Sequence, residues 1–266
     1  MKSTIGKHLN LFKTLIGIAE RQGLHTNHVA YEIVKRPPVK EEDKGKKIYL
    51  TKDELSELYK MPLEGFDEQV RDVFLIGCYT AMRFSDYGSI EKTDVGYTHK
   101  GTKVIRITQD KTGGKVVIPV SEDSPLEELL RKYDYNVPNL WEQSLNRTIK
   151  QICKKLSETV PSLQQKERTC LTLKERRAEE KARKEGKELF EYDEKGFPVK
   201  SRWVLVSSHT ARRTCITNMY LTGRFTVPQM MSISGHTTEA MFYKYVKLSL
   251  DEKADTIASV AGDGLF

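Results

Sequence analysis

Cysteine is sparse in this chain and poorly spaced for cross-linking. Cys78, Cys153, Cys170 and Cys215 are the only four in 266 residues, and none belongs to a C-x-x-C pair. That spacing argues against a disulfide framework and a thiolate zinc site, and fits a reduced cytoplasm. His25 and His28 are the one close histidine pair and carry little weight as a metal site, so neither metal nor cofactor is expected. No apolar run approaches the ~18 residues of a membrane helix. Met1-Lys2-Ser3 opens no secretory signal pattern, which makes membrane and secreted readings unattractive. Acidic residues are outnumbered, 37 against 44 basic ones, leaving a net charge of +7. Hydrophobic residues make up 38% and charged ones 30%, enough to bury a core beneath a densely ionic surface.

The positive excess is uneven. Residues 1–50 hold ten bases and five acids, whereas everything from residue 51 onward nets only +2. A basic segment suggests a polyanion partner, usually nucleic acid, although charge of this size alone does not decide the matter.

Ile5, Leu9, Phe12, Ile16 and Ala19 share one helical face, and Gly23 stops that helix. Asn27 is placed to cap a shorter helix through Val34, which Arg36-Pro37-Pro38 ends. The polar stretch after it reads as a linker, so the expected boundaries are a partial helical unit at 1–36, a linker at 37–47 and a larger domain at 48–266. Thr51-Lys52-Asp53-Glu54 is a capping box for a helix to about Lys60, and a second helix runs from Asp67 to near Met82-Arg83. Lys103 to Val120 reads as a hairpin with Lys111-Thr112-Gly113-Gly114 as its turn. Leu145, Ile149, Ile152 and Leu156 mark another amphipathic helix. Residues 174–188 carry seven bases and five acids, with Glu179/Arg183 and Glu180/Lys184 at i,i+4, so a solvated, self-paired helix is expected there. Trp203-Val204-Leu205-Val206 reads as a strand. Helices at about Thr210–Leu221, Val227–Ser234 and Thr238–Lys247 follow. The fold class is mainly α with a small antiparallel β-sheet.

Several chemistry-bearing residues stand out, each weak alone. His209 and Arg212 lie three apart at a helix start, where backbone N–H groups favour an anion; ordinary capping and surface roles compete. Gly235-His236 is followed nine positions later by Tyr245, and a tyrosine in an aromatic stretch is more often core than nucleophile. Arg83 ends a buried helix with Asp86 one turn on, which a structural ion pair would also explain. Lys111 sits at a hairpin turn, where a solvated lysine is commonplace.

The ordered conjunction is far more specific. Thr80-Ala81-Met82-Arg83, Gln109-Asp110-Lys111-Thr112-Gly113, His209-x-x-Arg212, Gly235-His236 and Tyr245 together resemble the tyrosine recombinase (phage integrase) family over about residues 47–250. The resemblance implies the recombinase catalytic-domain fold, with 1–36 similar to the last helices of a core-binding, DNA-clamping domain. It implies Tyr245 as a nucleophile forming a 3′-phosphotyrosine link, with Arg83 and Arg212 clamping the phosphate. Lys111 would then be the general acid, and His209 would assist proton transfer. His236 would donate to the phosphate, and Asp86 would hold Arg83 from behind. It further implies site-specific recombination or integration on double-stranded DNA in the bacterial cytoplasm, by a homotetramer on DNA that is a monomer free of it. Type IB topoisomerase-like relaxation and a non-catalytic DNA-binding protein are the alternatives. Two features depart from the family pattern: the clamp lacks its first helices, and the charged stretch 165–200 has the character of an insertion. Tyr243, two residues before Tyr245, is a second candidate that the His-to-Tyr interval disfavours.

Overall fold

The computed structural model of the protein describes residues 2–27, 35 and 45–261. The short helix expected to reach Val34, its Arg36-Pro37-Pro38 stop and the linker up to residue 44 lie outside the described residues. So do the apolar side chains of Val260, Leu265 and Phe266.

The chain forms two compact units, one of residues 1–46 with 167–200, the other of 47–166 with 201–266. In the smaller unit, α1 (Lys2–Arg21) is the amphipathic helix expected from its apolar spacing. The larger unit opens with α2 (Lys52–Lys60). Thr51 Oγ1 accepts from the Glu54 backbone at 3.2 Å and Glu54 returns the bond to the Thr51 N–H at 2.9 Å, closing the expected box. Next come α3 (Gly65–Thr80), the single turn α4 (Phe84–Tyr87), and strands β1 (Val95–Tyr97), β2 (Lys103–Thr108) and β3 (Lys115–Pro119). These strands form an antiparallel sheet in the order β1-β2-β3, with Ile105 opposite Ile118 and Thr108 opposite Lys115. Alternation decides its faces: Val116 and Ile118 are buried while Lys115 and Val117 are exposed. Helices α5 (Pro125–Lys132) and α6 (Glu142–Leu156) complete this run.

The excursion 167–200 belongs to the smaller unit and contains most of β4 (Lys166–Arg168), then α7 (Leu173–Lys184), β5 (Glu191–Tyr192) and most of β6 (Pro198–Ser201). A second three-stranded sheet, β4-β6-β5, therefore accompanies the one expected from sequence. The charged helix is less solvated than its composition suggests. Glu179 is buried, accepting from Arg183 at 3.0 Å, the Tyr192 hydroxyl at 3.0 Å and the Leu189 backbone at 3.0 Å. The Glu180/Lys184 pair does not form among the described residues.

The larger unit resumes with α8 (Arg202–Leu205), α9 (Ser208–Leu221), α10 (Val227–Ser234), α11 (Glu239–Phe242) and α12 (Leu250–Ala261). Two expectations are corrected here. Residues 203–205 fall in the single helical turn α8 rather than in a strand, and only Val206 after it is extended. A four-residue apolar run carries no period to tell the two apart, and Arg202 binds the Tyr49 carbonyl at 2.9 Å and Glu54 at 2.8 Å instead of joining a sheet edge. The helix expected through Lys247 stops at Phe242. Thr217, on α9, donates to the Tyr245 carbonyl at 3.2 Å and accepts from the Lys247 N–H at 3.2 Å, so these backbone groups are satisfied without a helix.

The main core gathers Phe74, Leu75 and Ile76 of α3, Ile149 and Ile152 of α6 and Ala211 of α9, all without exposed surface. Each of the larger of these side chains contributes roughly 1.5–3 kcal/mol of gross burial energy. A smaller cluster of Ala81, Cys215, Ile216, Met230 and Phe242, with Tyr245 packed on its edge, underlies the candidate site.

Candidate active site

Helix α3 ends on Ala81, a fully buried non-glycine residue held in the left-handed region at φ 57° and ψ 10°. That conformation costs an L-residue roughly 1–2 kcal/mol. It ends the helix with the Ala81 carbonyl free to accept from Arg212, whose Nη1 donates at 2.8 Å. Arg212 has no exposed surface. Its Nη2 donates to the Ser234 carbonyl at 2.8 Å and to His236 Nε2 at 3.0 Å. Burial, and then the nearby Arg83 cation, lower its pKa to about 10, which leaves it charged at neutral pH.

Because a guanidinium only donates, His236 must accept through Nε2 and carry its proton on Nδ1. That proton goes to Ser234 Oγ at 2.9 Å, and Ser234 Oγ donates to the Met230 carbonyl at 2.7 Å. Burial, with Arg212 and Arg83 beside it, pushes the His236 pKa down to about 3, in keeping with a neutral ring. The resemblance implied that His236 donates to a phosphate. In this geometry its Nε2 lone pair is instead engaged in holding Arg212.

Tyr245 is half-buried, its ring 4.8 Å from that of His236 and 5.1 Å from Arg212 Cζ, a cation–π distance. Tyr243 is 44% exposed and packs edge-on against Tyr220 and Phe242. Of the two tyrosines, Tyr245 is the one that meets the arginine and the histidine.

Arg83 caps α4, half-buried, with Nη1 donating to Gln109 Oε1 at 3.2 Å. The expected Arg83–Asp86 pair is absent among the described residues. Asp86 Oδ1 accepts instead from the Asp110 backbone and the Ser85 hydroxyl, both at 3.2 Å, so this buried carboxylate braces the base of the hairpin turn. Its charge still reaches Arg212, whose pKa it raises. Lys111 is exposed at the turn, with no hydrogen bond or ion pair among the described residues. His209, the second residue of α9, is exposed. Its pKa lies below the usual histidine value, first through desolvation of the ring and then through the Arg213 cation. The start of α9 is fixed by Ser208, whose N–H donates to Asn146 at 2.7 Å and whose hydroxyl donates to Glu142 at 2.6 Å.

Sequence reasoning gave no role to Gln109. Its side-chain amide is 1% exposed, and Nε2 donates to the same Ser234 carbonyl that Arg212 uses, at 3.3 Å. Arg213, also unassigned, donates to the Ile48 carbonyl at 2.8 Å and to Thr210 at 3.0 Å. Two guanidinium groups, a neutral histidine and a phenol thus converge on one face. Planar guanidinium forks match the oxygens of a phosphate, and preorganised cations stabilise charge that grows on it.

A model of the phage integrase family matches residues 48–252. The chain belongs to that family. The matched span lies within two residues, at either end, of the one the motifs delimit. Among solved structures, the Tn1549 transposon integrase in complex with a circular intermediate DNA is similar at a TM-score of 0.60 and 13% identity, covering 97% of this chain and 79% of that one. A lambda integrase dimer bound to a COC′ core site gives 0.54 and 16%, covering 92% and 79%. The XerA recombinase gives 0.52 and 14%, covering 96% and 82%. At these identities the likeness is one of fold, and the fold is the tyrosine recombinase catalytic fold. This chain spans 52% and 58% of two matched XerH chains. No curated protein matches. Among the described residues no helix is long and apolar enough to cross a membrane, and no three His, Cys, Asp or Glu side chains cluster as metal ligands would.

Proposed function

We propose that the protein is a site-specific DNA recombinase of the integrase type, cleaving and rejoining strands through a 3′-phosphotyrosine at Tyr245. The observation that carries this reading is the fully buried Arg212, joined to His236 and lying beneath the Tyr245 ring. Tyr245 Oη attacks the scissile phosphorus and the bond to the 5′ oxygen breaks. The phenolic proton passes to His209, whose lowered pKa keeps its ring neutral and able to accept. Lys111 Nζ supplies a proton to the departing 5′ oxygen. Arg83 and Arg212 bind the non-bridging oxygens as negative charge builds, and an anion there relieves the mutual repulsion of the two cations. The bond energy stays in the protein–DNA link, so attack by a 5′-hydroxyl on the phosphotyrosine reverses the step.

The partner in this reading is double-stranded DNA carrying recombination sites, engaged by a homotetramer during strand exchange. The reading also takes 1–36 as part of a DNA clamp and 48–266 as the catalytic domain. The test is a nicked suicide duplex carrying the ends of the mobile element, resolved on denaturing gels. The wild type and Tyr243→Phe are expected to form a covalent protein–DNA adduct, and Tyr245→Phe none. An adduct that survives Tyr245→Phe, or wild type that never forms one on such ends, overturns the proposal. Plasmid relaxation without recombinant products would point to topoisomerase activity instead.

A further inference from the structure

One buried amide joins three segments of the site. Gln109 Oε1 accepts from Arg83 Nη1 at 3.2 Å and from Thr112 Oγ1 at 2.9 Å, while Nε2 donates to the Ser234 carbonyl at 3.3 Å. The amide orientation follows from its partners, since a guanidinium only donates and a carbonyl only accepts. The Gln109 main chain closes the turn as well. Its carbonyl accepts from the Gly113 N–H at 2.8 Å and the Thr112 N–H at 3.3 Å, and its N–H donates to the Gly114 carbonyl at 2.8 Å. The side chain lies flat against Gly235, where an added Cβ would fall 2.5–2.6 Å from the amide atoms. Lys111, by contrast, has no hydrogen bond or ion pair of its own among the described residues. A flexible lysine on a turn needs that turn fixed relative to the phosphate clamp, because a displacement of about 1 Å costs on the order of a hundredfold in rate.

We infer that Gln109 is a positioning residue for the lysine turn: its amide locks the Lys111-bearing hairpin to Arg83 and to the Ser234–His236 loop that holds Arg212. The inference rests on the recombinase reading above and adds a role within it.

The test replaces the leaving group. A nicked duplex is made with the core site at which wild type forms its adduct, once with the normal 5′ oxygen and once with a 5′-bridging sulfur at the scissile phosphate. A thiolate departs without a proton, so a defect in delivering the general acid disappears on the sulfur substrate, whereas a defect in the phosphate clamp persists. Gln109→Leu is expected to slow adduct formation by on the order of a hundredfold on the oxygen substrate. On the sulfur substrate it should return to the wild-type range, in parallel with Lys111→Ala. Arg212→Lys should remain slow on both. Gln109→Glu keeps the acceptors for Arg83 and Thr112 but loses the donor to Ser234. It is expected to show the same rescue at smaller amplitude, and it serves if the leucine variant fails to fold. Equal slowing of the Gln109 variants on both substrates, or no slowing on either, overturns the inference. Failure of wild type to form any adduct counts against the recombinase reading itself.

Discussion

Arg212 Nη1 donates to the carbonyl of Ala81, a residue 131 positions earlier that is held at φ 57°. The strained cap and the buried cation belong to one device. Ala81 ends α3 so that its carbonyl meets the guanidinium, and two residues later the chain delivers Arg83 to the same site. Backbone strain of this kind persists where the surroundings over-determine it, and it concentrates at functional sites.

Lysine should not replace Arg212. It keeps the charge but has no planar fork, so the carbonyls of Ala81 and Ser234 cannot both be served as they now are. The buried Ala81 carbonyl then loses its guanidinium donor, at a cost of about 1–3 kcal/mol, while the Ser234 carbonyl keeps Gln109. Arg212→Lys is therefore expected to lower the melting temperature and to slow adduct formation by on the order of a hundredfold or more. Thermal melts and single-turnover gels measure the two effects separately.

Acid should weaken the fold through His236. Its folded pKa, about 3, lies below the ordinary value of 6.5. Between those limits the unfolded chain binds the proton that the native ring refuses. Stability is then fully present above pH 6.5 and falls as the pH drops toward 3, by at most about 1.4 kcal/mol per unit from this group. Melting curves at pH 7 and pH 5 should differ more for wild type than for His236→Asn, which cannot titrate.

Thr217 offers a milder lesion. Its hydroxyl bridges the Tyr245 carbonyl and the Lys247 N–H and so fixes the non-helical segment that carries the tyrosine. Thr217→Val keeps the shape and removes the bridge. A stability loss of about 1–3 kcal/mol is expected, with adduct formation slowed and Tyr245 itself intact. Unchanged kinetics in the valine variant would mean that the segment is held by packing alone.

Local rules made much of this molecule legible before its structure. The Thr51/Glu54 box, the hairpin and the bounds of Val227–Ser234 depend on residues close along the chain, and all three form as expected. The motif order supplied the family and brought Arg83, Arg212, His236 and Tyr245 forward together. What escaped depends on partners far along the chain. Gln109 meets Ser234 across 125 residues, and a lone glutamine beside a turn gives no hint of that. Asp86 was matched to its near neighbour Arg83, yet it bonds the Asp110 backbone 24 residues away. The end of α11 was misplaced for the same reason, because Thr217 satisfies backbone groups that a helix would otherwise have used.

Two substitutions of equal size should have different outcomes at Ala81 and Gly235, both left-handed positions of the site. Gly235 has φ 67°, and a Cβ there would strike the Gln109 amide at 2.5–2.6 Å. Gly235→Ala therefore adds the left-handed cost of roughly 1–2 kcal/mol and displaces the group that joins the hairpin to the Ser234 loop. Both stability and adduct formation should fall. Ala81→Gly removes a similar strain while giving up one buried methyl, worth about 0.8 kcal/mol. The two terms nearly cancel, so its melting temperature should stay close to that of wild type. Because the Ala81 carbonyl remains to receive Arg212, its rate should stay close as well. If Ala81→Gly were as damaging as Gly235→Ala, the methyl group rather than the carbonyl would be what Ala81 contributes to the site.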